Sequence, residues 1–100
     1  AHAYAYGYDI SQVAFHESML DIIDATIGIE RIVVIHLNDT LRPLASFVDE
    51  HANFGYGRIG IDALQAFVNN KRIAHIPLIM ELPLLDDTEY RRIFGMVSNW

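Results

Sequence analysis

The chain has 100 residues, 52% of them apolar, no Cys, and a formal net charge of −6. This is enough for one small domain, too apolar for a disordered chain, and without the thiols for a disulfide framework or a thiolate zinc site. No apolar run approaches the length of a bilayer span and nothing resembles a signal peptide, while the acidic balance gives no electrostatic footprint for nucleic acid unless bound cations reverse the local charge.

The chain opens AHAYAYGYDI, without Met, so its start is either processed or a piece of something longer. Residues 1–10 are aromatic and small, punctuated by Gly7, and read as a loop. Asp9 or Ser11 is placed to cap a helix. Val13, Met19, Leu20, Ile22 and Ile23 recur at near-helical spacing up to about Ala25, and Gly28 suits the stop. RIVVIHL follows, a β-branched run predicted as a buried strand over Ile32–Leu37, apolar on both faces as in a covered parallel sheet. A period of two puts Ile32, Val34, His36 and Asn38 on one face.

A polar, irregular segment runs from about Asp39 to Gly60. Loops of that length inside a compact domain are uncommon and usually functional. Ile61, Leu64 and Val68, with Ala63 and Phe67, mark a short helix that fades at NNKR. A second strand is expected over Ile76 to about Glu81, with Ile79 and Glu81 on a shared face. Asp86 or Asp87 then caps a last helix holding Tyr90, Ile93, Phe94 and Val97. Strands alternating with helices imply a parallel α/β sheet. Two parallel strands make a poor independent sheet, and a complete (β/α)8 barrel takes roughly 250 residues. The expectation is therefore a piece, the last part, of a larger α/β protein, with no internal repeat.

With no Cys, any metal must be held by His, Asp or Glu. His36 and Glu81 each sit at the C-terminal end of a predicted strand, where α/β folds bind their ligands. A lone His is more often a buried residue satisfied by backbone. A carboxylate finishing an apolar strand is costlier to bury unless paired or metal-bound. In the run Asp49-Glu50-His51, residues two apart project to one side of an extended segment, so Asp49 and His51 can grip one cation while Glu50 points away. Oxygen and imidazole together suit Zn²⁺ or a related divalent ion, although Asp-x-His alone is usually an ordinary solvated loop. His2 lies before the first helix, where a further strand would just have ended; by itself it means little. Asn38 and Asp39 are candidates for fixing a ligand's imidazole from behind, or for an ordinary turn or cap. The GYGRIG run is not a dinucleotide fingerprint, because no strand leads into it; a tight loop packed near a metal cluster is the plainer reading. His16 and His75 read as structural or exposed.

In combination these runs are far more specific. HLND, then DEH with Asp49 thirteen residues after His36, then GYGRIG, then PLIMEL resembles the C-terminal part of the endonuclease IV family (AP endonuclease family 2). AHAYAYGYD resembles that family's segment around a ligating His. The likeness covers nearly the whole chain and is weakest after Leu82. It implies that residues 1–100 are the incomplete C-terminal part of a TIM (β/α)8 barrel carrying three zinc ions at its C-terminal face. It further implies that His2, Asp49 and His51 hold one zinc, and that His36 and Glu81 belong to a second. The rest of the second set, and all of the third, would come from residues outside this chain. The implied activity is hydrolysis of the phosphodiester 5′ to an abasic site, in base excision repair of double-stranded DNA. The implied setting is cytoplasmic and nucleoid-associated, or nuclear, with no membrane and no obligate protein partner.

The chain departs from the family where the rim is usually basic. Leu41 stands where members usually carry Lys, and Glu50 where they carry Arg or Lys; Ala45 replaces Gly and Tyr56 replaces Glu. Phosphate contacts dominate affinity for DNA, so these changes bear on DNA binding more than on metal binding. Two alternatives remain open: a TIM-barrel sugar isomerase or epimerase, which would not need Asp49 with His51, and a non-catalytic remnant of the nuclease.

Overall fold

The computed structural model describes residues 1–100. Helices α1 (His2–Ala5), α2 (His16–Thr26), α3 (Ile61–Val68) and α4 (Asp87–Ser98) surround two short strands, β1 (Ile35–Leu37) and β2 (Leu78–Met80). Single 3-10 turns at Val13–Phe15 and Ile29–Arg31 lead into α2 and β1.

The strands are parallel, with Ile35 opposite Leu78, His36 opposite Ile79 and Leu37 opposite Met80. Both apolar runs form strands where expected, but the ladder is only three residues long. A ladder extends only as far as both partners can bond. Pro77 has no N–H to give, so it contributes only its carbonyl, which accepts from Ile35 N at 2.9 Å. At the other end Glu81 N donates to Leu37 O at 3.1 Å. Residues 32–34 have no strand beside them, and Val33 is 79% exposed.

Two local expectations need correction. The opening is not all loop: residues 2–5 close one helical turn that buries Tyr4 and Ala5. One turn of a short, aromatic-rich stretch carries no periodicity, so its burial rather than its propensity holds it. Neither Asp9 nor Ser11 caps α2; Ser11 Oγ donates to Asp9, and the helix is entered through the 3-10 turn. The other boundaries follow the sequence. Gly28 takes φ +85° just past α2, and Asp86 caps α4 by accepting from Glu89 N at 2.8 Å.

The core gathers Leu20 from α2, Leu64 and Phe67 from α3, Ile93 from α4, and Phe54, Ile59, Ile73 and Ile76 from the connections. Phe54 is fully buried and stacks on Trp100 with ring centroids 6.3 Å apart. His16 is buried; its Nε2 lies 2.7 Å from Ile10 O and its ring meets Phe67 edge-on. On the surface Arg72 clips the acidic side of α2 through Asp21 at 2.8 Å and Glu17 at 3.2 Å. Only 20 of 100 residues are buried, as expected when a parallel sheet lacks neighbours on both edges. No helix is long and apolar enough to cross a membrane.

Candidate metal centre

Residues 41–60 contain no helix or strand, yet the segment is firmly tied. Ala52 N donates to Asp39 O at 2.8 Å, and Arg58 N to Thr40 O at 2.6 Å. The strongest tie is Asp39 itself, which is fully buried. Its carboxylate accepts from the main-chain N–H of Thr40 at 2.7 Å, Ile59 at 3.0 Å and Gly60 at 3.2 Å. Three charge-assisted bonds offset the desolvation of a buried carboxylate. A Cβ at Gly57 would collide with the Asp39 carboxylate, so that position must be Gly. Asp39 therefore does not reach an imidazole, as its place after His36 suggested. It clamps the glycine-rich run under the strand ends, which sets where residues 49–51 lie.

Asn38 does sit behind a candidate ligand, though the ligand is a carboxylate. It is buried, its Nδ2 donates to Glu81 Oε2 at 2.9 Å, and its Oδ1 accepts from Ala1 N at 2.6 Å. One amide thus joins the C-terminal end of β1, the residue after β2, and the start of α1.

The five donors singled out in the sequence are brought together in one row. His2 Nδ1 lies 3.3 Å from Asp49 Oδ2, and His51 Nε2 lies 3.4 Å from Asp49 Oδ1. His51 Nε2 is 3.7 Å from Glu81 Oε2, and His36 Nδ1 is 3.0 Å from Glu81 Oε1. All five line a cavity of about 420 Å³ that continues between α2, α3 and the sheet. His51 is the most sheltered, with its side chain 29% exposed, and His2 the least, at 73%.

Three imidazoles and two carboxylates suit a divalent cation of the zinc type. A tetrahedral ion with bonds of about 2.0–2.1 Å sets its donors about 3.3–3.4 Å apart. The contacts of Asp49 with His2 and His51 have that length, but they use different oxygens of one carboxylate. No three of the donors converge into a group that could hold an ion as they stand. Pairwise approach without convergence is what hydrogen bonding between these same residues produces. The donor set fits such an ion in chemistry, while its side chains lie paired with one another and not gathered about one point.

Two features had no signal in the sequence. Tyr6 stacks on His2, with ring centroids 5.0 Å apart and planes within 9°. Glu50, which replaces a usual cation, binds Arg42 Nε at 2.6 Å. His75 is exposed and lies apart from the row.

Comparison with known proteins points the same way. The family described as xylose isomerase-like TIM barrel matches residues 1–94. A probable endonuclease 4 of Chloroflexus aggregans is 41% identical over 86 residues, covering 86% of this chain and 30% of the relative. That of Haloquadratum walsbyi is 39% identical over 83 residues, covering 83% of this chain and 30% of the relative. The crystal structure of endonuclease IV from Thermus thermophilus superposes with a TM-score of 0.81 at 33% identity, over 97% of this chain and 35% of that one. The chain thus spans about a third of the length of the proteins it matches.

Proposed function

This chain belongs to the xylose isomerase-like TIM barrel family, and on that premise we propose that it is the donor-rich, C-terminal part of a zinc-dependent endonuclease acting on abasic sites in double-stranded DNA. Its likeness to endonuclease IV, read from HLND, DEH, GYGRIG and PLIMEL, is borne out by its relatives and by the solved structure. The observation that carries the activity is the row His2, Asp49, His51, Glu81 and His36, assembled from a helical turn, a loop and two strand ends.

In this reading His2, Asp49 and His51 hold one zinc, while His36 and Glu81 contribute to another whose remaining donors lie outside the chain. An ion held by these residues would supply Lewis-acid chemistry, polarising the phosphate, activating water and steadying the leaving oxygen. Asp39 and the glycine-rich run fix the height of Asp49 and His51 over the sheet. Asn38 holds the Glu81 carboxylate in place, as partners of metal ligands commonly do. No Ser, Cys or Tyr nucleophile is called for. Action on DNA would put the protein in the cytoplasmic nucleoid or in a nucleus.

A sugar isomerase built on one metal would have no use for the contact of Asp49 with both His2 and His51. The test is a duplex oligonucleotide with one abasic residue, incubated with the whole protein to which this chain is proposed to belong, with and without a zinc chelator. Zinc-dependent cleavage on the 5′ side of that residue is expected. Absence of cleavage in the zinc-loaded protein would overturn the reading.

A further inference from the structure

The three residues that follow His51 are each anchored in a different way. Ala52 N donates to Asp39 O at 2.8 Å. Asn53 Nδ2 donates to Glu89 Oε1 on α4 at 2.8 Å. Phe54 is fully buried and stacks on Trp100, which lies just past the end of α4. A single main-chain bond sets the height of this segment over the sheet but lets it pivot about that bond. Ties from a second element remove the freedom, and here both of them come from the end of the chain, some forty residues away.

Packing alone does not account for Asn53. Its Oδ1 is buried without a hydrogen-bond partner, which costs stability that an apolar side chain of similar size would not. What the amide gains is a bond to a carboxylate that is itself held still. Glu89 N donates to the Asp86 cap at 2.8 Å. Arg92 grips both Glu89 oxygens, with Nε 3.1 Å from each and Nη2 2.6 Å from Oε1. A charge-assisted bond to a carboxylate so fixed is strong and directional, and it ends two residues after His51. We propose that Asn53 and Glu89 are positioning residues for the zinc site, the bond between them letting α4 fix the placement of the His51 imidazole. This rests on the reading of His51 as a zinc ligand, and it adds a support from outside the row of donors, of the kind that tunes metal affinity.

The test is chelator competition for zinc, read beside Tm, on the whole protein to which this chain is proposed to belong. Asn53→Leu removes the bond together with the unpartnered oxygen. Glu89→Ala removes the bond from the other side. Glu89→Gln gives up the charge that Arg92 grips but keeps an oxygen for Asn53. Asn53→Leu and Glu89→Ala are each expected to weaken the zinc equivalent that His51→Ala loses by about tenfold or more. The double variant should be no weaker than either single one, because both changes cut the same bond. Glu89→Gln should hold zinc as the unaltered protein does, although its Tm falls. Zinc affinity would then follow the hydrogen bond and not the stability. Unchanged affinity in Asn53→Leu and Glu89→Ala would overturn the proposal, as would a loss in Glu89→Gln equal to that in Glu89→Ala. Should Asn53→Leu not fold, the two Glu89 variants decide between these results. In either case the zinc lost in His51→Ala leaves the ligand reading standing, whereas an unaltered protein that loses no zinc in His51→Ala would remove both.

Discussion

Asn38 Nδ2 donates to Glu81 Oε2 at 2.9 Å, so one buried amide fixes the carboxylate that follows β2 from the residue that follows β1. The bond couples fold to function. The parallel register that sets His36 opposite Ile79 also brings Asn38 level with Glu81. Asn38→Ala removes the 2.9 Å bond to Glu81 Oε2 and the partner of Ala1 N, leaving Glu81 with its imidazole neighbours alone. The expected cost is about 1–3 kcal/mol of stability and about a 10- to 100-fold weaker zinc affinity. Chemical denaturation and chelator competition measure the two separately.

The clamp of Asp39 on the glycine-rich run makes a coupled prediction. Asp39 is pinned by three main-chain N–H groups and cannot swing away from a Cβ at Gly57. Gly57→Ala is expected to destabilise by about 1–3 kcal/mol through overpacking. Asp39→Ala also destabilises, and the double variant should cost less than the sum, because the second change removes the atoms with which the first collides. Additive costs in urea denaturation would show that the two residues do not meet.

Which parts of this arrangement were legible follows from the reach of each interaction. The apolar runs around His36 and Ile79 announced strands because burial on both faces is written in consecutive residues. Their true ends were not, because ladder length depends on partners forty residues away. Asp49, His51, His36 and Glu81 stood out because donor residues at strand ends and at two-residue spacing form a pattern in the sequence, sharpened by the likeness to a family. The work of Asp39 was hidden. Its partners are main-chain amides twenty residues on, and an amide leaves no mark in a sequence. The turn at His2–Ala5 was hidden for a related reason, being held by the burial of Tyr4 and Ala5 and by the loop that lies against it.

Glu50 makes a prediction about DNA. Arg42 and Glu50 are each about half exposed at 2.6 Å, so their pair adds little stability, yet it occupies a guanidinium at the rim of the site. Glu50→Gln is expected to change stability by less than about 0.5 kcal/mol. It should tighten DNA binding and steepen the slope of log K against log salt by about one. An unchanged slope would place Arg42 out of reach of the phosphates.

Acid should loosen the junction of α4 with the loop. Arg92, and then the Asn53 amide, bind the Glu89 carboxylate and lower its pKa from 4.5 to about 2. A carboxyl group lowered on folding stabilises the folded state above its unfolded pKa. That contribution is lost as pH falls from 4.5 towards 2. Glu89→Gln should therefore flatten the pH dependence of Tm within this window, lowering Tm at neutral pH, where the carboxylate contributes fully, and leaving it little changed near pH 2. An identical pH profile in the variant would contradict the assignment.

Everything proposed for the site depends on His2, Asp49 and His51 holding a zinc ion that the nuclease requires. The decisive quantity is the zinc content of the dialysed whole protein, of which this chain is proposed to be a part, beside that of its His51→Ala variant, with abasic-site cleavage and circular dichroism read on the same samples. The variant is expected to lose about one equivalent of zinc and most of its cleavage while its circular dichroism is retained. Equal zinc and equal cleavage in a folded variant would refute this ligand set.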